Sequence, residues 1–362
     1  MTGCREELHV QGWRRGDLRA ATGNRQLATG NLLYTRRVLS LFRRRPANPG
    51  LIWLDEPKAH RSIDAKRKRG EITADEAANL HKYADDGYFI VKVDLTADDA
   101  RAFDADVDRL WRERPANVAY AYEEGPHRFS DSEEAKQRKP KSRVHDLHSA
   151  SAVGMRLYLD PVLGRYASLI LGEPAVATQS LYFEFGSQQP LHRDSIVVPT
   201  PQFGRLLASW IALEDIHPES GALAYVPGSQ KLPFYEFRPG RYVYDPTCMG
   251  AADVEAAMRF YDEQLQKSGL TTKLFLAKRG EVLLWHSALL HGGGPVSDEA
   301  RTRKSFVVHY STLGGHPMRD VAVRETVNGV DGESIFQTRE VIARGGAYGF
   351  ANPLDGELAY RR

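Results

Sequence analysis

The residues best able to act together lie in the segment QQPLHRDS, where His192 and Asp194 stand two apart. On an extended strand alternate side chains share a face, so an imidazole and a carboxylate at this spacing can grip one metal ion from one side. His-x-Asp alone is a common coincidence, and a third ligand has to come from elsewhere in the chain. Two histidines and one carboxylate leave part of the coordination sphere open, which suits Fe(II) and oxygen chemistry. The same donors also suit Zn(II) or Mn(II) in hydrolysis.

Two later segments supply candidates. GEVLLWHSALLHGGGP reads as a turn, an apolar strand and two histidines, His286 and His291, the second followed by three glycines. Glycine lets a ligand or another stretch of backbone approach closely. RTRKSFVVHY then places Arg303 and Ser305 two apart. A guanidinium beside a hydroxyl suits a buried carboxylate, such as the distal carboxylate of 2-oxoglutarate. Arg301 is the nearby alternative.

Taken in order, His-x-Asp, Trp-x-Ala-Leu, Gly-x-Leu with Val-Pro-Gly-Ser, Trp-His with Leu-His-Gly-x-Gly, and Arg, the chain resembles the phytanoyl-CoA dioxygenase family of Fe(II)/2-oxoglutarate-dependent oxygenases. The matching stretches are LHRDS, SWIALEDIHPESGALAYVPGSQK, GEVLLWHSALLHGGG and TRKSF. The opening DDGYFIVKVDLTADDARAFDADVDRLW is also similar, and the likeness runs from about residue 75 to 315. It implies a mainly β fold with flanking helices, a double-stranded β-helix or cupin-like jelly roll. It implies iron ligands at His192, Asp194 and His291, an anchor for 2-oxoglutarate at Arg303 with Ser305, and Trp210 in the cosubstrate pocket. For Trp210 the other reading is a core tryptophan of a sandwich strand. Gln230 stands where the family often has histidine.

The implied cofactors are Fe(II), 2-oxoglutarate as cosubstrate, and O₂. The implied reaction hydroxylates an unactivated C–H of a small-molecule or lipid-like substrate and releases succinate and CO₂. Related halogenases have a small residue where Asp194 stands, so the carboxylate argues for hydroxylation, desaturation or another oxidative outcome. The family acts on acyl-CoA thioesters, amino acids, alkaloids, lipids and polyketides, so membership does not name the substrate. The alternative is a non-catalytic or hydrolytic metal-binding jelly roll.

These residues need elements to position them. Thr73 can cap a helix through Ala74, Ala77, Leu80 and Tyr83, and Thr96 opens a second through Phe103, Val107 and Leu110. Residues 112–145 are polar and read as a long mobile loop over a site, with His145 and His148 beside it within reach of substrate. A third helix is expected from about Pro161 to Leu171. Short strands with glycine and proline turns follow at 175–185, 205–214, 222–226, 281–286 and 304–312, the texture of a sandwich or barrel. A helical pattern at 250–268 interrupts them. His217 and His309 have no evident chemical role. The expected organisation is a basic, poorly ordered extension over 1–70, an oxygenase domain over 71–345 with its jelly-roll core at about 175–315, and a tail over 346–362.

With 42% hydrophobic and 10% aromatic residues the chain can build a core, which excludes wholesale disorder. Cys4 and Cys248 are far apart and read as free thiols in a reducing compartment. No run of 18 apolar residues offers a membrane span, and the N-terminus lacks a secretory apolar region, so a cytoplasmic location is expected. Residues 1–70 hold 16 Lys/Arg against 6 Asp/Glu, a net of +10, and the rest of the chain is acidic. Such a leader suits an anionic membrane surface, which would make the protein peripheral. No basic stripe interleaved with aromatics marks the remainder, so no nucleic-acid partner is expected.

Overall fold

Helix ends follow from local chemistry. In the computed structural model, helices α1 (Ala59–Lys68) and α2 (Ala74–Asp86) form a hairpin. At the start of α2, Thr73 Oγ1 accepts from Glu76 N, and Glu76 answers by accepting from Thr73 N, a reciprocal cap. Gly87, at φ +78°, ends the helix in the left-handed conformation that favours glycine. Strand β1 (Tyr88–Lys92) follows, and helix α3 (Ala97–Glu113) repeats the cap with Thr96 and Asp99. Strands β2 (Ala119–Gly125), β3 (Arg128–Ser130) and β4 (Ser142–His145) come next. Helices α4 (Ala152–Tyr158) and α5 (Pro161–Leu171) lead into strand β5 (Ala175–Phe183). Then come the single turn α6 (Asp194–Val197), strands β6 (Leu207–Ala212) and β7 (Leu223–Tyr225), and helix α7 (Ala251–Ser268). Strands β8 (Lys273–Phe275), β9 (Glu281–His286), β10 (His291–Gly293) and β11 (Ser305–Thr312) complete the series.

The structure describes residues 52–114, 118–125, 128–130, 137–198, 200, 202–245 and 248–312, and within 322–350 the pairs 322–323, 326–327, 330–331 and 335–336 and the run 341–350. The chain divides into two units, Met1–Pro49 with Asp245–Gly250, and Gly50–Tyr244 with Ala251–Arg362; the second carries all of these elements.

The larger sheet runs β1-β9-β6-β11-β5-β4-β2-β3, every neighbour antiparallel, and the smaller runs β10-β7-β8. Together they make the jelly roll. The period-2 alternation of strands sorts the side chains of the large sheet into two cores. Leu207 and Ile211 of β6 with Phe306, Val308 and Tyr310 of β11 turn to one face, where Phe89, Phe103 and Leu110 meet them. Ala208, Trp210 and Ala212 with Val307 turn to the other, against Leu223, Tyr225 and Phe275 of the small sheet. Both faces are covered, so β6 and β11 are buried along their whole length and their apolar runs read as nearly continuous. Burying a side chain such as Phe306 is worth about 1.5–3 kcal/mol.

Three expectations need correction. The stretch 112–145 is not one long loop: β2, β3 and β4 extend the large sheet, because Tyr120 has a core to enter, packing on Trp111 and donating its hydroxyl to Leu110 O. The charged run at 131–136 lies outside the described residues. The packed region also starts before residue 71 and continues past 345. Ile52, Leu54 and Ile63 are buried in the helical core, and Ala347–Phe350 joins the large sheet beside β5. Cys248 is disulfide-bonded rather than free, and Cys4 and the basic stretch 1–51 lie outside the described residues. Among the described residues, no helix is long and apolar enough to cross a membrane.

Candidate metal centre

His192 and His291 come together through backbone pairing. They form an isolated antiparallel bridge, with His192 N donating to His291 O at 2.9 Å and His291 N returning to His192 O at 3.0 Å. Arg193 continues extended, at φ −116° and ψ 129°, and Asp194 opens the turn α6. The two side chains of His-x-Asp therefore meet across a bridge and a helix start, not along one continuous strand as the spacing suggested.

The functional atoms of His192, Asp194 and His291 lie within 4.8 Å of one another, and all three residues are buried. His192 Nδ1 is 2.8 Å from Pro190 O, and His291 Nδ1 is 3.0 Å from Leu289 O. A carbonyl oxygen only accepts, so each Nδ1 carries the proton and each Nε2 presents a lone pair. Those nitrogens face Asp194 Oδ1 at 3.8 and 3.5 Å. Two lone pairs aimed at a carboxylate oxygen repel unless a cation sits among them, so the donor set fits a metal ion. Asp194 Oδ2 is held from behind: Trp285 Nε1 donates to it at 2.8 Å, and His309 Nε2 lies 3.6 Å away.

The three glycines after His291 are there for close approach. A Cβ on Gly292 would sit 2.5 Å from Gln189 O, and one on Gly293 would sit 2.4 Å from Gln188 N. The segment carrying His192 is seated directly on this run.

The rival residues separate cleanly. His286 turns to the other face of β9, with Nε2 3.2 Å from Asp55 Oδ2 and Nδ1 accepting from Ala288 N. Arg301 is exposed and pairs with Asp298 at 2.9 Å. Arg303 is buried in the wall of the cavity beside the metal centre. Its guanidinium lies 5.4 Å from the Trp210 ring and 5.5 Å from that of Phe183, and burial pushes its pKa down to about 10. Trp210 packs in the inter-sheet core and also lines the cavity. Ser305 accepts from Arg303 Nη1 at 3.2 Å and does not itself line the cavity. Gln230 is away from the metal, donating to the carbonyls of Ala84 and Asp85 at the end of α2. His148 stacks on Tyr158 and His217 sits in a turn with Glu219.

The cavity measures about 240 Å³ and is also lined by His145, Gln179, Leu181, Val197, Val198, Leu223 and Val307. Sequence reasoning missed Trp285, Gln179 and His309 as site residues. For His309 a signal existed, because 303, 305, 307 and 309 alternate onto one face of β11. Arg143 also lines the cavity, from the segment expected to be a loop.

A jelly roll with two histidines and an aspartate converging in the wall of one cavity defines a mononuclear metalloenzyme of the cupin-like class. Residues 83–304, well over half of the chain, match the family described as phytanoyl-CoA dioxygenase. The chain belongs to that family and is an iron- and 2-oxoglutarate-dependent oxygenase. It is 22% identical over 290 residues to the peroxisomal phytanoyl-CoA dioxygenase of Rattus norvegicus, covering 77% of this chain and 78% of the relative. It is 26% identical over 280 residues to phytanoyl-CoA dioxygenase domain-containing protein 1 of Bos taurus, covering 66% of this chain and 90% of the relative. Among solved structures, the epimerase SnoN in complex with Fe3+, alpha ketoglutarate and nogalamycin RO aligns with a TM-score of 0.50 at 18% identity, covering 76% of this chain and 98% of that one. The alpha ketoglutarate dependent carbocyclase SnoK also aligns at 0.50, with 16% identity, covering 67% of this chain and 86% of that one. These structural likenesses establish the fold.

Proposed function

We propose that His192, Asp194 and His291 hold Fe(II), that Arg303 anchors the distal carboxylate of 2-oxoglutarate, and that the enzyme hydroxylates a C–H of a small molecule. The observation that carries this is the orientation of the two imidazoles: both Nδ1 atoms are committed to backbone carbonyls, and both Nε2 atoms face one oxygen of Asp194.

Bound iron, with 2-oxoglutarate and O₂, supplies the oxidising chemistry, in which 2-oxoglutarate becomes succinate and CO₂ and one oxygen atom enters the substrate. The chain's own contribution is placement and exclusion of water. Trp285 restrains Asp194 Oδ2, which keeps Oδ1 turned to the histidines. Arg303 sits between aromatic rings at the inner wall, where a desolvated guanidinium binds a carboxylate strongly. Leu181, Val197, Val198, Leu223 and Val307 give the remaining wall an apolar surface. A hydrolytic metal site does not by itself account for the buried Arg303 with Ser305.

The test is anaerobic titration of the metal-free protein with Fe(II) and then 2-oxoglutarate, followed by assay of succinate release across a panel of small molecules. One iron per chain, saturable 2-oxoglutarate binding that requires it, and release stimulated by a subset of the panel are expected. Metal binding without any affinity for 2-oxoglutarate would reject the reading.

A further inference from the structure

The N-terminal helical hairpin carries a pair of histidines that the cavity does not use. His60 and Asp64 lie one turn apart on α1, and His81 and Asp85 lie one turn apart on α2. Residues four apart on a helix share a face. The two pairs cross between the helices. His60 Nε2 is 3.0 Å from Asp85 Oδ1, and His81 Nε2 is 3.0 Å from Asp64 Oδ1. The imidazole rings stack, with centroids 4.9 Å apart and planes 9° from parallel. Their Nδ1 atoms face each other at 2.6 Å. None of the four residues lines the cavity beside His192, Asp194 and His291.

Hydrogen bonding fixes the tautomers. A carboxylate only accepts, so each Nε2 carries the proton it gives to its aspartate, and each Nδ1 is left with a lone pair. Two lone pairs facing at 2.6 Å repel unless something positive lies between them. One shared proton or one metal ion can fill that role. A shared proton belongs to one ring and gives the other no reason for a carboxylate of its own. Here both rings are set up alike, as two ligands of one ion are. A carboxylate behind the far nitrogen is the arrangement that orients ligating histidines and raises their basicity. Lys231 stands at the rim, its Nζ 3.9 Å from Asp85 Oδ1. Both histidines are partly exposed, so solvent can complete a coordination sphere. Zinc holds imidazole nitrogens at about 2.0–2.1 Å, so two of them on one tetrahedral ion stand about 3.3 Å apart. A small rotation of the two partly exposed rings supplies the difference.

The geometry points to a second metal site, in which His60 Nδ1 and His81 Nδ1 bind one divalent ion of the Zn(II) type. Asp64 and Asp85 orient the two rings, and the ion clips α1 to α2. Imidazole donors suit Zn(II), Cu(II) and Ni(II), and the open outer side leaves room for solvent ligands.

Titration of the full-length, metal-free protein with Zn(II) tests this, read by calorimetry and metal analysis. His60→Gln combined with His81→Gln should bind one zinc fewer per chain than the unmodified protein. The difference is the readout, so it holds whether or not zinc also enters the site at His192. Zinc should also raise the melting temperature more in the unmodified protein than in this variant, because the ion joins two helices only in the folded chain. An unchanged circular-dichroism spectrum shows that the variant is folded. Asp64→Asn combined with Asp85→Asn keeps both rings and should weaken the same zinc about tenfold or more. Equal zinc stoichiometry in the unmodified protein and the double-glutamine variant overturns the inference and leaves a shared proton between the rings. Unchanged zinc affinity in the double-asparagine variant overturns it as well, since orientation by the carboxylates is the ground of the assignment.

Discussion

Arg193 and Arg303 are both fully enclosed, both lie over two aromatic rings, and burial pushes both down to about 10. Their hydrogen bonds differ. Arg193 Nη2 donates to Ser229 O at 2.7 Å and Leu232 O at 3.0 Å, and Nη1 to Pro233 O at 3.1 Å, with Phe234 and Tyr261 on its faces at 4.5 and 4.7 Å. Arg303 has two longer contacts, to Ser305 Oγ at 3.2 Å and Phe185 O at 3.3 Å, and it borders the cavity. Burial and a shifted pKa therefore do not by themselves separate a structural cation from a ligand-binding one. The supply of acceptors does. Arg193 spends its two terminal nitrogens on three protein carbonyls and ties the metal motif to the 229–234 turn and to α7, whereas Arg303 makes two longer contacts among the described residues and borders the cavity.

The largest expected effect lies next to Arg193. Asp194→Ala should abolish stoichiometric iron binding and succinate formation together, measured by metal analysis and product assay. A fully active Asp194→Ala protein would remove the functional side of the contrast altogether. Arg193→Met should cost about 3 kcal/mol in urea unfolding, because the buried Ser229 carbonyl and the partly buried contacts to Leu232 and Pro233 lose their donor. Arg303→Met should change unfolding stability by about 1 kcal/mol or less, since an incompletely bonded buried charge is replaced by an apolar chain. Equal destabilisation by the two substitutions would erase the distinction.

The third effect inverts the order for ligand binding. Arg303→Met should weaken 2-oxoglutarate by ~2 kcal/mol or more, roughly thirtyfold, and leave iron affinity nearly intact. Arg301→Met should do neither, given its surface pairing with Asp298. Calorimetric titration of both variants decides, and weakening by Arg301→Met alone would mean the wrong arginine faces the cosubstrate. The smallest effect belongs to the histidine pair. His286→Gln should lose about 1 kcal/mol of stability and keep its iron, while His291→Gln loses the metal. Iron retained by His291→Gln and lost by His286→Gln would exchange their roles.

Much of the site was legible in the chain. The two-residue spacing of His192 and Asp194, the glycines after His291, and the pairing of Arg303 with Ser305 each carry a local physical reason. The helix caps at Thr73 and Thr96 were legible for the same reason, since their partners lie three residues away. What was not legible depended on distant neighbours. Arg301 and Arg303 have the same strand parity, so alternation could not rank them; the ion pair with Asp298 before β11 begins holds one outside. The run 112–145 looked like a loop because its polar composition hid the core that Tyr120 enters and the sheet that β4 extends.

The sequence by itself determined the donor set, the order of the motifs, and the small residues without which the 187–190 segment could not lie on the His291 strand. These are properties of residue type and near spacing. The resemblance already pointed to His291 over His286, but the physical reason that His291 faces Asp194 and His286 does not lies in the tertiary structure. The alternation along β9 sends Trp285 and His286 to opposite faces, but which face is inward depends on what packs there. Trp285 meets Asp194 across 91 residues of chain, and His286 meets Asp55 across 231. Contacts at such separations exist only once the two sheets and the N-terminal helices have closed on one another, so no local pattern can encode them.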